Sequence, residues 1–389
     1  MPTNQIPTRR QILTGAALLP LALTAGKAAG QTAKGQPLLG KPDLPDPMDA
    51  RTGWAIVGLG SFGVGQVIPA FADAKKSRLA AFVSGNAEKA TMLGQRYDVP
   101  NIYDYNNFDN IADNPDISCV YIVLPVGLHA EYTIRALRAG KHVLCEKPMA
   151  SSPAECEAMI AAAKAADKQL GVAYRVYFEP ANIEAQRRIA AGEIGTIRHV
   201  QCDHGFDANP QAWPPHKWRL EKLLGGGGSM YDIGIYGLNT SLMMMPNDRP
   251  VAASAVYVYP RDDPRFAEVE GGIDWRVTME SGANISGSSS YCYSPYVSRQ
   301  RYFGDKASIE MMPATTYYDN DLIIEGAGPR RHIGTAPAIQ QFAAQVDGFS
   351  EAARNGQPHR TPGEMGLRDM RIIAALYESA DKGGVPVKL

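Results

Sequence analysis

The chain has 389 residues, a length that suits two or three domains, and its 45% hydrophobic and 20% charged residues are ordinary for a globular protein with an ample core. A formal net charge of -1 excludes the strongly basic balance expected of a nucleic-acid binder. No apolar stretch reaches the ~18 residues that a membrane span requires, so no membrane association is expected once the leader is removed.

The first 30 residues stand apart from the rest. Arg9-Arg10 precede an apolar run over 12–25, and small residues follow through Ala28-Ala29-Gly30. A charged start, a short apolar core and a small-residue end read as a signal peptide, and the arginine pair points to the twin-arginine route and a periplasmic destination. The other reading is a chance arginine pair before a short apolar helix. Cys119, Cys145, Cys156, Cys202 and Cys292 are an odd set with neither a disulfide framework nor zinc-ligand spacing. Core thiols in a protein folded in a reducing cytoplasm before export fit that pattern. Residues 31–52 are proline-rich and without periodicity, either a flexible spacer or an ordered arm that grips a neighbouring subunit.

From Gly53 the pattern changes to short apolar strands alternating with amphipathic helices: strands at 54–57, 79–83, 119–124, 142–145 and 169–173, helices at 64–74, 87–97, 130–139 and 153–167. Asn86 is placed to cap the second helix and Gly140 to close the third. Uninterrupted apolar strands separated by helices mean a parallel sheet covered on both faces, so 53–173 is expected to be a doubly wound α/β domain of Rossmann type. Residues 174–389 read differently. Helices at 180–191 and 229–245 precede strands at 251–259, 273–279, 283–293, 299–303 and 308–312 joined by short turns, and helices return at 338–353 and 367–382. Successive strands with short turns predict an α+β domain built on a large, mostly antiparallel sheet.

Gly58-Leu59-Gly60-Ser61-Phe62-Gly63 follows the first strand and opens the first helix, the context in which glycines let a chain turn tightly and approach a pyrophosphate at a helix N-terminus. At the end of the second strand, where a carboxylate would hold an unphosphorylated ribose, stand Ser84 and Gly85. Lys89, near the start of the following helix, can pair with a 2′-phosphate. This favours NADP, with Glu88 as the residue that speaks for NAD. Glu146-Lys147-Pro148 ends a later strand, at the edge where open α/β sheets bind ligands, and Lys147-Pro148 is a candidate for a cis bond. Asp232 and Tyr236 are four apart on a helix led by four glycines and therefore share a face. A phenol is a weak base near neutrality. Lys147 beside it is expected to favour phenolate and lower its pKa.

Together the glycine motif, Glu146-Lys147-Pro148 and the glycine-rich run into Asp232-Ile233-Gly234 resemble the family named for glucose–fructose oxidoreductase, inositol dehydrogenase and rhizopine-catabolism proteins (Gfo/Idh/MocA), over essentially 53–389. Tyrosine at 236, where most members carry histidine, is similar to the glucose–fructose oxidoreductase branch, as are the 83–90 segment, Lys217-Trp218-Arg219-Leu220, 313–318 and the twin-arginine leader. The resemblance implies that Lys147, Tyr236 and Asp232 form the catalytic set, with Asp232 also binding substrate. It places Trp218 and Arg219 near the cofactor and Tyr317 near a sugar. The expected cofactor set is Gly58, Leu59, Gly60, Ser61, Phe62, Gly63, Ser84, Gly85, Lys89, Leu124, Pro125, His129, Glu146, Lys147, Arg175, Trp218 and Arg219. The expected substrate set is Lys147, Tyr174, Asp232, Tyr236 and Tyr317, with no metal ligand. A homo-oligomer is expected, dimer or tetramer, although the arm is shorter than the branch's.

Export of a Rossmann protein to a compartment without free NADP implies a non-dissociating cofactor, reduced by one sugar and reoxidised by a second in ping-pong fashion. An aldose such as glucose would leave as its lactone, and fructose or a second aldose as a polyol. A conventional sugar or inositol dehydrogenase that releases its cofactor and a sugar-binding protein without catalysis remain as alternatives.

Overall fold

The computed structural model describes residues 44–209, 214–326, 328–338 and 340–389. The leader, most of the proline-rich segment and Pro210 to Trp213 lie outside the described residues. The chain divides into two compact units at Leu44/Pro45, and the body described below is Pro45–Leu389.

Six parallel strands form the first sheet: β1 (Thr52–Val57), β2 (Ser77–Val83), β3 (Asn101–Tyr103), β4 (Cys119–Ile122), β5 (His142–Cys145) and β6 (Leu170–Val172), in the order β3-β2-β1-β4-β5-β6. This is the doubly wound arrangement read from the apolar runs. Every residue of β1 is buried, because helices cover both faces. Side chains alternate between two cores: Trp54, Ile56, Phe82 and Tyr121 enter one, and Ala55, Val57, Val83 and Ile122 the other. The register has a direct consequence for function. Val57 pairs with Val83 and Ile122, Ile122 with Cys145, and Cys145 with Val172. The residues that follow each strand, Gly58, Ser84, Val123, Glu146 and Ala173, therefore stand in a row along one sheet edge.

The second sheet has nine strands: β7 (Ile197–Asp207), β8 (Pro250–Tyr257), β9 (Gly272–Met279), β10 (Asn284–Ser290), β11 (Cys292–Gly304), β12 (Ala307–Met311), β13 (Leu322–Gly326), β14 (Arg331–His332) and β15 (Val387–Lys388). Their order is β14-β13-β12-β11-β7-β10-β9-β8-β15, and every pairing is antiparallel except that of β7 with β10. The sheet is mixed but mostly antiparallel. Sequence patterning missed β7, one of its central strands, as well as the short β3, β13, β14 and β15.

The helix Gln340–Asn355 returns to the first sheet. Phe349 is fully buried against Trp54, ring centroids 5.4 Å apart, while Trp54 Nε1 donates to Ser350 Oγ at 2.9 Å. Asp347 accepts from the backbone N–H groups of Lys75 and Lys76 at 2.6 and 3.0 Å. The last third of the chain thus closes one face of the nucleotide-type sheet. Phe349→Ala should cost about 3–5 kcal/mol, the usual penalty for emptying an aromatic core position, measurable as a lower denaturation midpoint.

Candidate active site

The turn after β1 gives each glycine a separate task. Gly58 has φ +100, and a Cβ there would lie 2.3 Å from Val123 O. A Cβ on Gly63 would lie 2.7 Å from Gly58 O, so this glycine lets the helix close on the strand. A Cβ on Gly60 would meet nothing within 4 Å. That residue is not needed for packing, and its bareness leaves backbone open to a ligand. The next turn, Gly63–Val67, is wound as a π-helix, a form that concentrates at functional sites.

Ser84, at the end of β2, is buried, and its Oγ accepts from Asn86 N–H at 3.1 Å. Asn86 caps the following helix by accepting from Lys89 N–H at 2.9 Å, as its position predicts. Lys89 folds back across the glycine turn and donates from Nζ to Leu59 O at 3.1 Å. Ser84 and Lys89 line the cavity, whereas Glu88 and Gly85 do not.

Glu146-Lys147-Pro148 follows β5, and Lys147-Pro148 is cis. Glu146 accepts from Tyr121 OH at 2.6 Å and from Lys147 N–H at 3.1 Å, and Gln345 Nε2 donates to the same Tyr121 oxygen at 3.0 Å. Burial holds the Glu146 carboxyl above the ordinary carboxylate range, against the pull of Tyr121 and Lys147. His129 is buried, with Nδ1 2.9 Å from Pro148 O and Nε2 2.8 Å from Leu124 O, and so ties the loop after β4 to the loop after β5.

The second wall is a helix that opens as a π turn, Met230–Gly234, and continues as α-helix over Ile235–Met244. Its start is fixed by Glu270. This buried carboxylate accepts from Gly228 N–H (2.8 Å), Met230 N–H (2.9 Å), Ser229 OH (3.2 Å) and Tyr377 OH (2.7 Å). A carboxylate that takes up free N–H groups at a helix N-terminus is favoured by both hydrogen bonding and the helix dipole. Asp232 and Tyr236 project from this helix into the cavity.

Asp232 gathers cations from both domains. Its Oδ2 accepts from Arg219 Nε at 2.9 Å and from Tyr291 OH at 3.2 Å, and Oδ1 lies 3.5 Å from Lys147 Nζ. The Lys147 ammonium also donates to the Asp232 main-chain oxygen. Burial alone would raise this carboxyl, but Arg219 and Lys147 outweigh it and hold Asp232 below its ordinary range. Lys147 Nζ stands 4.6 Å from the centroid of the Tyr236 ring, and the Arg175 guanidinium 4.7 Å from it.

The expectation that Lys147 lowers the Tyr236 pKa is corrected here. Withdrawal from bulk water pushes the phenol up to about 12, and Arg175, not Lys147, is the main opposing charge. Arg175, expected to contact cofactor, lines the cavity, with donors on Thr315 O (2.6 Å) and Gln341 Oε1 (2.7 Å). One further placement differs from the sequence reading. Tyr174, expected to touch substrate, does not line the cavity, and its buried phenol is set against Asp369.

The glycine turn, Ser84, Lys89, Leu124, Pro125, His129, Glu146, Lys147, Arg175, Trp218, Arg219, Asp232, Tyr236 and Tyr317 thus converge on one cavity of ≈ 1120 Å³. Ordinary small-molecule pockets hold ~300–1,000 Å³, so the space suits a dinucleotide with a second ligand beside it. Tyr291 and Tyr296, at the ends of a stretch that the sequence suggests shapes the fit of the sugar, also line it. Sequence reasoning named no role for Tyr105, Thr315 or Thr316, which line it too, or for Glu270 behind it. Glu270 sits among turn residues with no local signature, and only the folded sheet brings it to the helix.

A glycine-turn Rossmann sheet with a cleft, lined by a few convergent charged groups, against a second, mostly antiparallel domain defines a dinucleotide-dependent oxidoreductase. Residues 52–174 match the oxidoreductase family with NAD-binding Rossmann fold, and residues 183–310 match the GFO/IDH/MocA C-terminal domain. The chain belongs to the Gfo/Idh/MocA family. Among solved structures it is similar to the aldose-aldose oxidoreductase of Caulobacter crescentus complexed with glycerol, at 43% identity and TM-score 0.83, covering 87% of this chain and 100% of that one. It shares its fold with an inositol dehydrogenase homolog of Azotobacter vinelandii, at 24% identity and TM-score 0.74, covering 87% and 98% of the two chains. The D-xylose 1-dehydrogenase [NADP(+)] of Haloarcula marismortui is 28% identical over 340 residues, 84% of this chain and 91% of that protein.

Because nothing packs on Gly60, Gly60→Ala should unfold within about 0.5 kcal/mol of wild type. Dinucleotide affinity should nevertheless fall on the order of tenfold or more, about 1.4 kcal/mol, as read by titration calorimetry on cofactor-free protein.

Proposed function

We propose that this protein is an exported, periplasmic oxidoreductase that keeps NADP tightly bound and passes hydride from one sugar to another. The observation that carries the reading is the meeting of Lys147, Asp232 and Tyr236 at the wall of the same cavity as the glycine turn. Ser84 in place of a carboxylate, with Lys89 folded over Leu59, supports NADP over NAD. The 43% identity to an aldose-aldose oxidoreductase supports an aldose as the electron donor. Export by the twin-arginine route, argued from Arg9-Arg10 and the apolar run behind them, supports a cofactor that never leaves. A homo-oligomer is part of the same reading.

When bound, the nicotinamide supplies the hydride acceptor of one half-reaction and the hydride donor of the other. Asp232, ionised and braced by Arg219 and Tyr291, accepts hydrogen bonds from sugar hydroxyls, and the Lys147 ammonium donates to the reacting oxygen. Tyr236 takes the proton of the anomeric hydroxyl while the aldose becomes its lactone. It returns a proton to the carbonyl oxygen when the second sugar becomes a polyol. A conventional enzyme that releases NADPH is the second reading, favoured by the similarity to the xylose dehydrogenase.

Purified protein, dialysed and with no cofactor added, is expected to absorb in the reduced-nicotinamide band after an aldose alone and to bleach when the second sugar follows. Dialysed protein that carries no nucleotide and requires NADP for every turnover would establish the conventional dehydrogenase instead. Tyr236→Phe should keep bound nucleotide but oxidise aldose ~10²–10⁴-fold more slowly in single-turnover experiments. Since the phenol sits near 12, only its small deprotonated fraction is active at neutral pH. Single-turnover aldose oxidation should therefore rise from pH 7 to pH 9, by up to about tenfold per unit.

A further inference from the structure

Arg175 is a buried cation with an unusual set of neighbours. It follows β6, is only 3% exposed, and packs its guanidinium against the rings of Tyr236 at 4.7 Å and Tyr317 at 4.6 Å. Its hydrogen-bond acceptors are neutral: Thr315 O, Gln341 Oε1, at 3.4 Å Thr316 O, and the Tyr236 hydroxyl. Among the described residues it makes no ion pair within 4.0 Å, and its buried Nε–H has no acceptor. Lys147 lies equally near the Tyr236 ring but has Asp232 as its counter-ion. A guanidinium taken out of water without a carboxylate is unfavourable unless a counter-charge forms next to it. The neighbouring groups that can supply one are the Glu146 carboxyl, which burial holds toward its neutral form, and the phenols of Tyr236 and Tyr317.

We propose that Arg175 is a positioning residue: its charge makes Tyr236 the phenol that ionises, while Lys147 serves Asp232 and the substrate hydroxyls. This rests on the reading of Tyr236 as the proton acceptor and names the group that tunes it. The charged and titratable groups around the phenol are few. Glu146 and Lys147 face it from the loop after β5, Tyr121 from β4, Asp232 from its own helix, Tyr317 from the segment after β12, and Arg175 from the end of β6. His204 of β7 and Tyr296 of β11 complete the surroundings of Arg175. Glu146 and Asp232 oppose ionisation of Tyr236, and Lys147 is offset by Asp232, so Arg175 decides the balance. Tyr317 shares both Arg175 and Lys147 with Tyr236, but once Tyr236 carries the charge it opposes ionisation of Tyr317. The Arg175 charge pulls the Tyr236 phenol down against the effect of burial.

The test compares Arg175→Met, Arg175→Lys, Gln341→Glu and Lys147→Met in the nucleotide-loaded protein. A fluorinated tyrosine at 236, intrinsically more acidic, brings the titration into an accessible range and is followed by ¹⁹F NMR. In parallel, the pH dependence of single-turnover aldose oxidation is recorded. Arg175→Met should move the phenol titration upward by roughly 1–3 pH units and displace the rate profile in the same direction, with kcat changed more than KM. Gln341→Glu sets a carboxylate on the guanidinium and should act in the same sense, whereas Arg175→Lys should stay close to wild type. A titration that follows Lys147→Met and ignores both Arg175→Met and Gln341→Glu overturns the proposal. If Arg175→Met does not fold, Gln341→Glu, which keeps the arginine, decides alone. Full aldose oxidation by Tyr236→Phe would remove Tyr236 as the base, while the ¹⁹F titration would still show whether Arg175 governs that phenol.

Discussion

Lys147 leaves the end of β5 in the first domain and meets Asp232 at the start of a helix in the second, with Arg219 on the far side of the same carboxylate. Ionisable groups so far withdrawn from water survive as charges only when they compensate one another. The cleft is therefore more than a gap between two folded units. Each domain contributes charges that the other must balance, and the relative placement of sheet edge and helix is written into that balance.

The same constraint explains the layout around it. Glu146 is kept by Tyr121, itself fastened by Gln345 from the C-terminal helix, and Asp232 by Arg219 and Tyr291. Each functional side chain is thus held by a partner distant in sequence. Fixed dipoles and charges of this kind stabilise charge that develops during reaction without reorganising at that moment. Holding Tyr236 in such surroundings raises its proton affinity, and the arrangement of cations around it then becomes a matter of function as well as of packing.

Much of this was legible in the amino-acid sequence, for local reasons. Gly58 supplies a positive φ and Gly63 lets the helix close on Gly58 O, constraints that act within six residues, so their spacing carried the turn. Continuous apolar runs announced the parallel sheet, and an interval of four placed Asp232 and Tyr236 on one face. What could not be read depends on partners far along the chain. In β7 the alternation of buried and exposed residues is broken by a buried His204 next to Gly205, so the strand left no clean period of two. Tyr174 comes directly after Ala173 at the sheet edge, and the alternation that turns Ala173 to one core turns Tyr174 to the other, away from the cleft. The proton affinity of Tyr236 is a property of burial and of Arg175, neither of which lies near it in sequence.

Glu270 shows why such long-range partners matter to chemistry. It precedes β9, yet it secures three consecutive residues, Gly228 to Met230, at the head of the helix that carries Asp232 and Tyr236. Gly228 has room for nothing larger, since a Cβ there would lie 2.0 Å from Glu270 O. The glycine-rich run is therefore not slack. It lets the helix start be drawn against a buried carboxylate, while Tyr377 from the C-terminal helix closes the other side of that carboxylate. A helix fixed at its first turn transmits little play to residues one turn later, and a cleft assembled from two domains needs that stiffness if a proton acceptor is to stay within reach of a substrate oxygen.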